Sequence, residues 1–480
     1  MQLRRGSRFW MVLVLMVLST AGATARAQGF GLNEISTCGL GRGYAAVATG
    51  CHDASTIYWN PAAATTLSGW SWAVGGAIIA LDGKFVQDTT FKTFDADVSP
   101  AFVPHGFVNY HNPSSQWAFG GGVYVPYGLT SQWHTDFPGR FEAQKASLQT
   151  IYIQPNVAYQ INSNWSVGGG PIIGHSSVEL IQAIDLSQQV LPITAGGQPV
   201  TFAALGIAQR TEFATARLKG DAWGYGLHIG VQGKLSPSWT FGARYMTQIS
   251  YKYDDADATF TQVPTNLIIP AAIPNPANPA GPPIVGAGAH VDTLSLLKAA
   301  FASGGPLSSQ KVSTKINHPA QFQVGFAYTG FQSWELEADY ALIAYSSFKR
   351  LPITFSNAAT PSDTLIEDYN NSSALRLGAE YKFANTWHVR GGFSGVTRAA
   401  PDATVTPLLP EQDRANYSLG FTTPAWYGFV IDGGYVLVTT PGRRGRIVER
   451  TSESQTAAQL NTGKYSLTAN IFALGIKSAF

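Results

Sequence analysis

The chain has 480 residues, of which 45% are hydrophobic and 12% aromatic, while only 12% are charged. Soluble globular chains carry roughly a quarter charged residues, and a net charge of +2 without a basic stripe argues against nucleic acid as a partner. The 50 Gly, 26 Phe, 20 Tyr and 12 Trp, against 4 Met and 2 Cys, point to a β-rich, aromatic-rich protein.

The first predicted element is a secretory leader. Arg4, Arg5 and Arg8 precede an apolar run over 9–19, and Ala25 and Ala27 supply small residues for cleavage, so residues 1–27 are expected to be removed. The run is shorter than the roughly 18 apolar residues that a spanning helix needs. Nothing after it resembles a transmembrane helix, which leaves a secreted soluble β-protein or an outer-membrane barrel. Residues 28–68 follow as a compact, irregular segment that holds both cysteines, Cys38 and Cys51. In an oxidising compartment the pair is expected to form a disulfide, with two buried thiols as the alternative.

From residue 69 the pattern has period two. "WELEADYALIAY" sets Trp334, Leu336, Ala338 and Tyr340 on one face and Glu335, Glu337 and Asp339 on the other. "ALRLGAEYKF" repeats the scheme with Leu375 and Leu377 opposite Arg376 and Glu380. Trp117, Trp165, Trp239, Trp334 and Trp387 each open a strand just after a short polar turn. Aromatic residues beside short turns at one end, with long loops at the other, are what a bilayer interface imposes on a barrel. Such a sheet must also close, because an open edge would leave unpaired N–H and C=O groups in hydrocarbon.

The predicted fold is therefore all-β, a transmembrane antiparallel barrel over 69–480. About fourteen strands are expected, near 69–81, 101–111, 116–126, 147–160, 165–182, 213–234 and 239–261. The others fall near 312–329, 333–345, 369–383, 387–397, 415–422, 428–441 and 464–480. The last places Phe472, Leu474, Ile476 and Phe480 in one phase. Long insertions near 183–212 and 262–311 are expected to be irregular extracellular loops, with a short helix over 292–301. They are read as an apolar platform that gathers ligand, against surface decoration as the alternative.

Enzymatic chemistry finds no support. The chain lacks a G-x-S-x-G elbow, an H-E-x-x-H pair and a P-loop. His175 and Ser176 are strand neighbours and point to opposite faces. The histidines are scattered without ligand spacing, so no catalytic residue, cofactor or metal is expected.

"GFGLNEISTCGLGRGYAAVATGCHDASTIYWNPAA", residues 29–63, resembles the start of mature FadL-type outer-membrane transport proteins. That family includes long-chain fatty acid channels and aromatic-hydrocarbon channels. "WAFGGGVYVPYGL", "GDAWGYGLHIGV", "WELEADYALIAYSSF" and "LPEQDR" extend the resemblance over nearly the whole mature chain. His52 and Cys38 depart from the family pattern.

The resemblance implies a Gram-negative outer-membrane barrel with residues 28–68 as a luminal hatch. Hydrophobic ligand would be captured by loops, bind in the lumen and leave sideways at a kinked third strand as the hatch moves. Long-chain fatty acids are the expected cargo, with monoaromatic hydrocarbons as the alternative. A barrel hydrolase and an adhesin are the readings from other classes. Asn60, Pro61 and Ala62 match the hatch motif and are the residues expected to gate its movement. Gly120, Gly121, Gly122, Pro126, Tyr127 and Gly128 are candidates for the wall gap, since glycine and proline weaken strand pairing. The glycines alternatively make room for the hatch. Strand phase aims Arg244, Arg376 and Arg390 into the lumen, either toward a ligand carboxylate or toward Glu335, Glu337, Asp339 and Glu380. The expected partners are the hydrophobic ligand and outer-membrane lipid with lipopolysaccharide, around a monomer.

Overall fold

The computed structural model describes residues 30–478, apart from 196, 197, 270, 271, 276, 277, 279, 284 and 385. The expected leader and Phe480 lie outside the described residues. Fourteen wall strands run through the rest. They are β1 Gly69–Gln87, β2 Ala101–His111, β3 Trp117–Gln132, β4 Lys145–Gln160, β5 Trp165–Asp185 and β6 Glu212–Ser236. β7 joins Trp239–Met246 to Ile249–Gln262, and β8 joins Gln310–His318 to Gln321–Tyr328. β9 Trp334–Ile343, β10 Ser372–Lys382, β11 His388–Val396, β12 Arg414–Thr422, β13 Phe429–Thr439 and β14 Gly463–Ser478 complete the set.

Each strand pairs antiparallel with its successor, and β1 pairs with β14 from Ala73 opposite Lys477 to Gln87 opposite Gly463, which closes the wall. The expected strands are all present, with two bends that periodicity does not signal. β7 breaks after Met246 and β8 breaks at Pro319, a residue with no N–H for the ladder. Beyond β9 the chain forms a hairpin, Arg350–Phe355 with Asp363–Ile366, that pairs back onto β8 through Val312 and Phe355.

The faces divide as the pattern requires. Leu375 and Leu377 are about half exposed on the outside, while Arg376 between them is 1% exposed. Trp117, Trp165, Trp239, Trp334 and Trp387 remain exposed beside the short turns, as an aromatic girdle does.

The lumen is filled by residues 30–67, nearly all of them buried. Their regular pieces are short: α1 Thr37–Gly41, α2 Thr56–Trp59 and a 3-10 helix Pro61–Thr66. The Ser36 hydroxyl accepts from Gly39 N at the start of α1, and the Asn60 Oδ1 accepts from Ala62 N with Pro61 at the first helical position. Helices of one turn are not stable alone, so the surrounding wall must hold them. Inward glycines let the two backbones touch. A Cβ on Gly392 would lie 2.3 Å from both Arg42 C and Gly43 N, and one on Gly242 would lie 2.1 Å from Val47 O.

The long loops are more ordered than expected. Residues 186–211 carry a hairpin, Val190–Ala195 with Gln198–Thr201, and the short helix is confined to Ser295–Phe301. Phe202, Ile207 and Phe213 pack with Ile269, Val291 and Leu297 in a separate core. Much of the apolar character of these loops thus serves their contact with each other.

The close approach yields a test. Gly392→Val should destabilise the protein by at least about 2 kcal/mol, because the backbone of the luminal segment cannot yield as a side chain would. Gly106→Val, where a Cβ would meet nothing within 4 Å, should stay near wild type. Urea unfolding of the two variants, followed by loss of the heat-modifiable barrel band, measures the difference.

Candidate functional site

The wall is interrupted between β2 and β3. They pair only from Gly106 opposite Val123 to His111 opposite Ala118. Beyond Val123, β3 turns inward, and residues 124–131 are buried on both of their faces. Its register with β4 shifts between Tyr124 and Tyr127, around Pro126. Higher up the two edges are joined again, by a bridge between Ala96 and Trp133 and by Asp97 N donating to Gln132 O at 2.9 Å. The result is a bounded window in the wall.

Pro126, Tyr127 and Gly128 lie in this interruption, whereas Gly120, Gly121 and Gly122 do not. Those glycines are paired on both sides, to 107–109 and to 154–156, because glycine keeps its N–H and C=O and only lacks a side chain. Gly120 instead makes room for the luminal segment, since a Cβ there would sit 2.8 Å from Ile57 Cδ1.

The freed edge of β3 is satisfied from inside. Leu32 N donates to Pro126 O and Gly128 N donates to Phe30 O, both at 2.8 Å. Residues 30–32 therefore act as a short arm laid along the kink. Phe30 stands edge-on to Tyr345 and Phe348, with centroids 5.1 and 5.3 Å away. It also forms the floor of a cavity of about 100 Å³, lined by Leu129, Leu148, Leu180, Ile316, Ile353 and Leu409 among others. A smaller cavity of about 20 Å³ shares Leu129 and Leu409 with it and reaches Val98 and Trp133 at the window.

The rest of the luminal segment is fastened down. Arg42 meets Glu335 at 2.7 Å and Glu337 at 2.9 Å, all three side chains being buried. The Asp339 carboxylate accepts from Ala46 N and Val47 N at 2.8 and 3.0 Å, and Glu337 accepts from Ala48 N at 2.6 Å. His52 meets Glu335 at 2.8 Å, and Lys477 bridges Asp53 and Asp432 at 3.0 and 2.9 Å. Cys38 and Cys51 are joined as a disulfide with Cα atoms 5.9 Å apart. The Asn60 amide donates to Val47 O and to Val231 O on β6, Pro61 O accepts from Asn156 on β4, and Ala62 O accepts from Ser166 on β5. These three residues pin the segment to three neighbouring strands.

Arg244, Arg376 and Arg390 all face the lumen, and all are engaged. Arg390 pairs with Glu380 at 2.5 Å and Asp432 at 3.3 Å. Arg376 donates to Gln323, Asn33 and Tyr44 O, and Arg244 donates to Gln321 while lying 4.5 Å over the Tyr58 ring. Of the four acids expected to pair with these arginines, only Glu380 does. Glu335, Glu337 and Asp339 serve the luminal segment, and the cation of the first two is Arg42, which strand phase could not reveal because it lies on no strand. Its signal was the glycine on either side in "GLGRGY", where the backbone must approach the wall.

The family model for the outer membrane protein transport protein (OMPP1/FadL/TodX) matches residues 18–480. The chain belongs to this family. Among curated members, the long-chain fatty acid transport protein of Escherichia coli (strain K12) is 24% identical, over 86% of this chain and 87% of that one. Outer membrane protein P1 of Haemophilus influenzae is 23% identical, over 98% of each chain. Among solved structures, a Pseudomonas aeruginosa FadL homologue superposes with a TM-score of 0.73 at 20% identity, covering 94% of this chain and all but 1% of its own. The Pseudomonas putida toluene transporter TodX gives 0.65 at 15% identity, over 95% and 100%. The protein is thus an outer-membrane transporter of hydrophobic small molecules, and the OMPP1/FadL/TodX family consists of transport channels, not enzymes.

Two tests follow from the charges. Arg42→Ala leaves Glu335 and Glu337 buried without their cation, which should cost about 3–5 kcal/mol. Limited proteolysis from the side of the short turns should then cut within 30–67, while the heat-modifiable barrel survives. In the loops, burial lifts Glu142 to about 7, against its Arg446 partner at 3.0 Å, and lifts Glu367 to about 7. Both carboxyls ordinarily titrate near 4.5, so the folded loops hold protons that the opened loops release. Stability from this pair is present at low pH and falls away as pH rises through that interval. Protease resistance of the loops should therefore be higher at pH 5.5 than at pH 8, and Glu142→Gln combined with Glu367→Gln should flatten the dependence.

Proposed function

We propose that the protein takes up long-chain fatty acids across the outer membrane by passive diffusion. Ligand is captured among the long loops, enters the carbon-lined cavity and leaves sideways through the window between β2 and β3. The observation that carries this reading is the double role of the arm. Phe30 floors the cavity, and the same three residues satisfy the open edge of β3. Withdrawal of 30–32 would open the cavity toward the window in one movement. Asn60, Pro61 and Ala62 are then the fixed anchor of the hatch, and the arm is its moving part.

A second reading, uptake of monoaromatic hydrocarbons, is favoured by the rings around the arm. Tyr127 and His318 have centroids 4.4 Å apart, and both lie within about 6 Å of Phe30. A strain lacking the gene should fail to grow on hexadecanoate under the first reading, and on toluene under the second. Loss of neither would refute both. For the exit route, cysteines at Pro104 and Val125 joined by a thiol cross-linker should abolish uptake in a folded barrel. Undiminished uptake by the fully cross-linked protein would exclude the window.

A further inference from the structure

A third cavity, of about 30 Å³, lies on the other side of the arm. Gly31, Asn33, Glu34 and Tyr44 of the luminal segment line it, and Ile79, Leu81, Val438, Ala469 and Ile471 form its apolar wall. Arg414 and Asn416 on β12 complete it. Arg414 differs from the other luminal arginines. Arg42 and Arg390 hold carboxylates, and Arg244 and Arg376 hold amides. Among the described residues no hydrogen bond or ion pair engages the Arg414 guanidinium, whose acidic neighbour Glu411 is itself taken by Ala399 N and Ala400 N, and its Nε is buried without a partner. Asn416, 4% exposed, leaves its Oδ1 unpartnered in the same place. Such groups are costly to leave unmatched inside a protein. The one carboxylate lining this cavity, Glu34, is already used by Tyr44 Oη at 2.8 Å and Asn33 N at 3.0 Å.

The space is small, yet it is not isolated. Leu81 lines both it and the cavity at the window, which in turn shares Leu129 and Leu409 with the large apolar cavity. A polar pocket sized for a head group thus adjoins a hydrocarbon track. We propose that Arg414 and Asn416 form a subsite for the carboxylate of an amphiphilic ligand whose tail runs past Leu81 toward Leu129 and Leu409. The guanidinium offers paired N–H donors to a carboxylate, and the Asn416 amide adds a third. A carboxylate held there lies in the cavity that Glu34 lines. Glu34 lies two residues beyond the arm, so a carboxylate bound beside it is repelled by the chain that continues from 30–32.

The subsite rests on the fatty acid reading and is tested so that the two can fail separately. Binding of radiolabelled hexadecanoate and of its methyl ester is measured on the folded protein in outer-membrane vesicles. The wild type should prefer the acid by about tenfold, the size of one charge-assisted contact. Arg414→Gln should lose that preference with ester binding unchanged, Arg414→Lys should keep part of it, and Glu34→Gln should strengthen binding of the acid alone. A preference undiminished in Arg414→Gln, or absent from the wild type, overturns the subsite while uptake of apolar ligands stands. Failure of the wild type to bind either ligand overturns both.

Discussion

A backbone amide in hydrocarbon has no water to turn to, and the architecture answers that constraint. Fourteen strands close because β1 meets β14 along nearly its full length, which removes the open edges of the sheet at its two ends. Irregular chain is then permissible only inside the wall. Residues 30–67 occupy that place, with one-turn helices that would not persist in water. The window between β2 and β3 obeys the same rule. Where β3 abandons β2, two of its edge groups, Pro126 O and Gly128 N, are taken up by residues 30–32.

This arrangement ties a structural necessity to transport. The arm is short and holds β3 by two backbone hydrogen bonds, whereas the body of the luminal segment is held by buried ion pairs, carboxylate caps and a disulfide. The contrast in attachment separates a part that can leave from a part that stays. The acidic face of β9 is central to the second. Glu335, Glu337 and Asp339 recur at every second position, so one strand presents three carboxylates in a row to the N–H groups of 46–48 and to Arg42.

Much of the fold was legible because alternation is a local property. "WELEADYALIAY" declares its two faces without reference to any neighbour, and the tryptophans mark the interface end of each strand. Expected and observed strands differ mainly at the upper ends, as in β3, which runs to Gln132 rather than to 126. The site was less legible. Glycine and proline within "GGGVYVPYG" pointed to the right strand, but the interruption fell at Pro126 rather than at the glycines, since only proline removes a donor. The lumen-facing arginines were identified by phase, yet their partners lie up to hundreds of residues away in the chain. Arg244, Arg376 and Arg390 look equivalent on paper, and so does Arg414 in "LPEQDR".

By itself the sequence determined the barrel, the orientation of its faces, the family and the break in strand pattern before residue 69. Each follows from periodicity, composition or a contiguous motif. Only the tertiary structure decided which charges are paired and with which partners. It also decided that Phe30 closes a cavity and that the arm completes the broken edge of β3. Those outcomes depend on bringing distant segments within a few ångströms. The balance of desolvation against pairing is set at that distance and leaves no periodic trace along the chain.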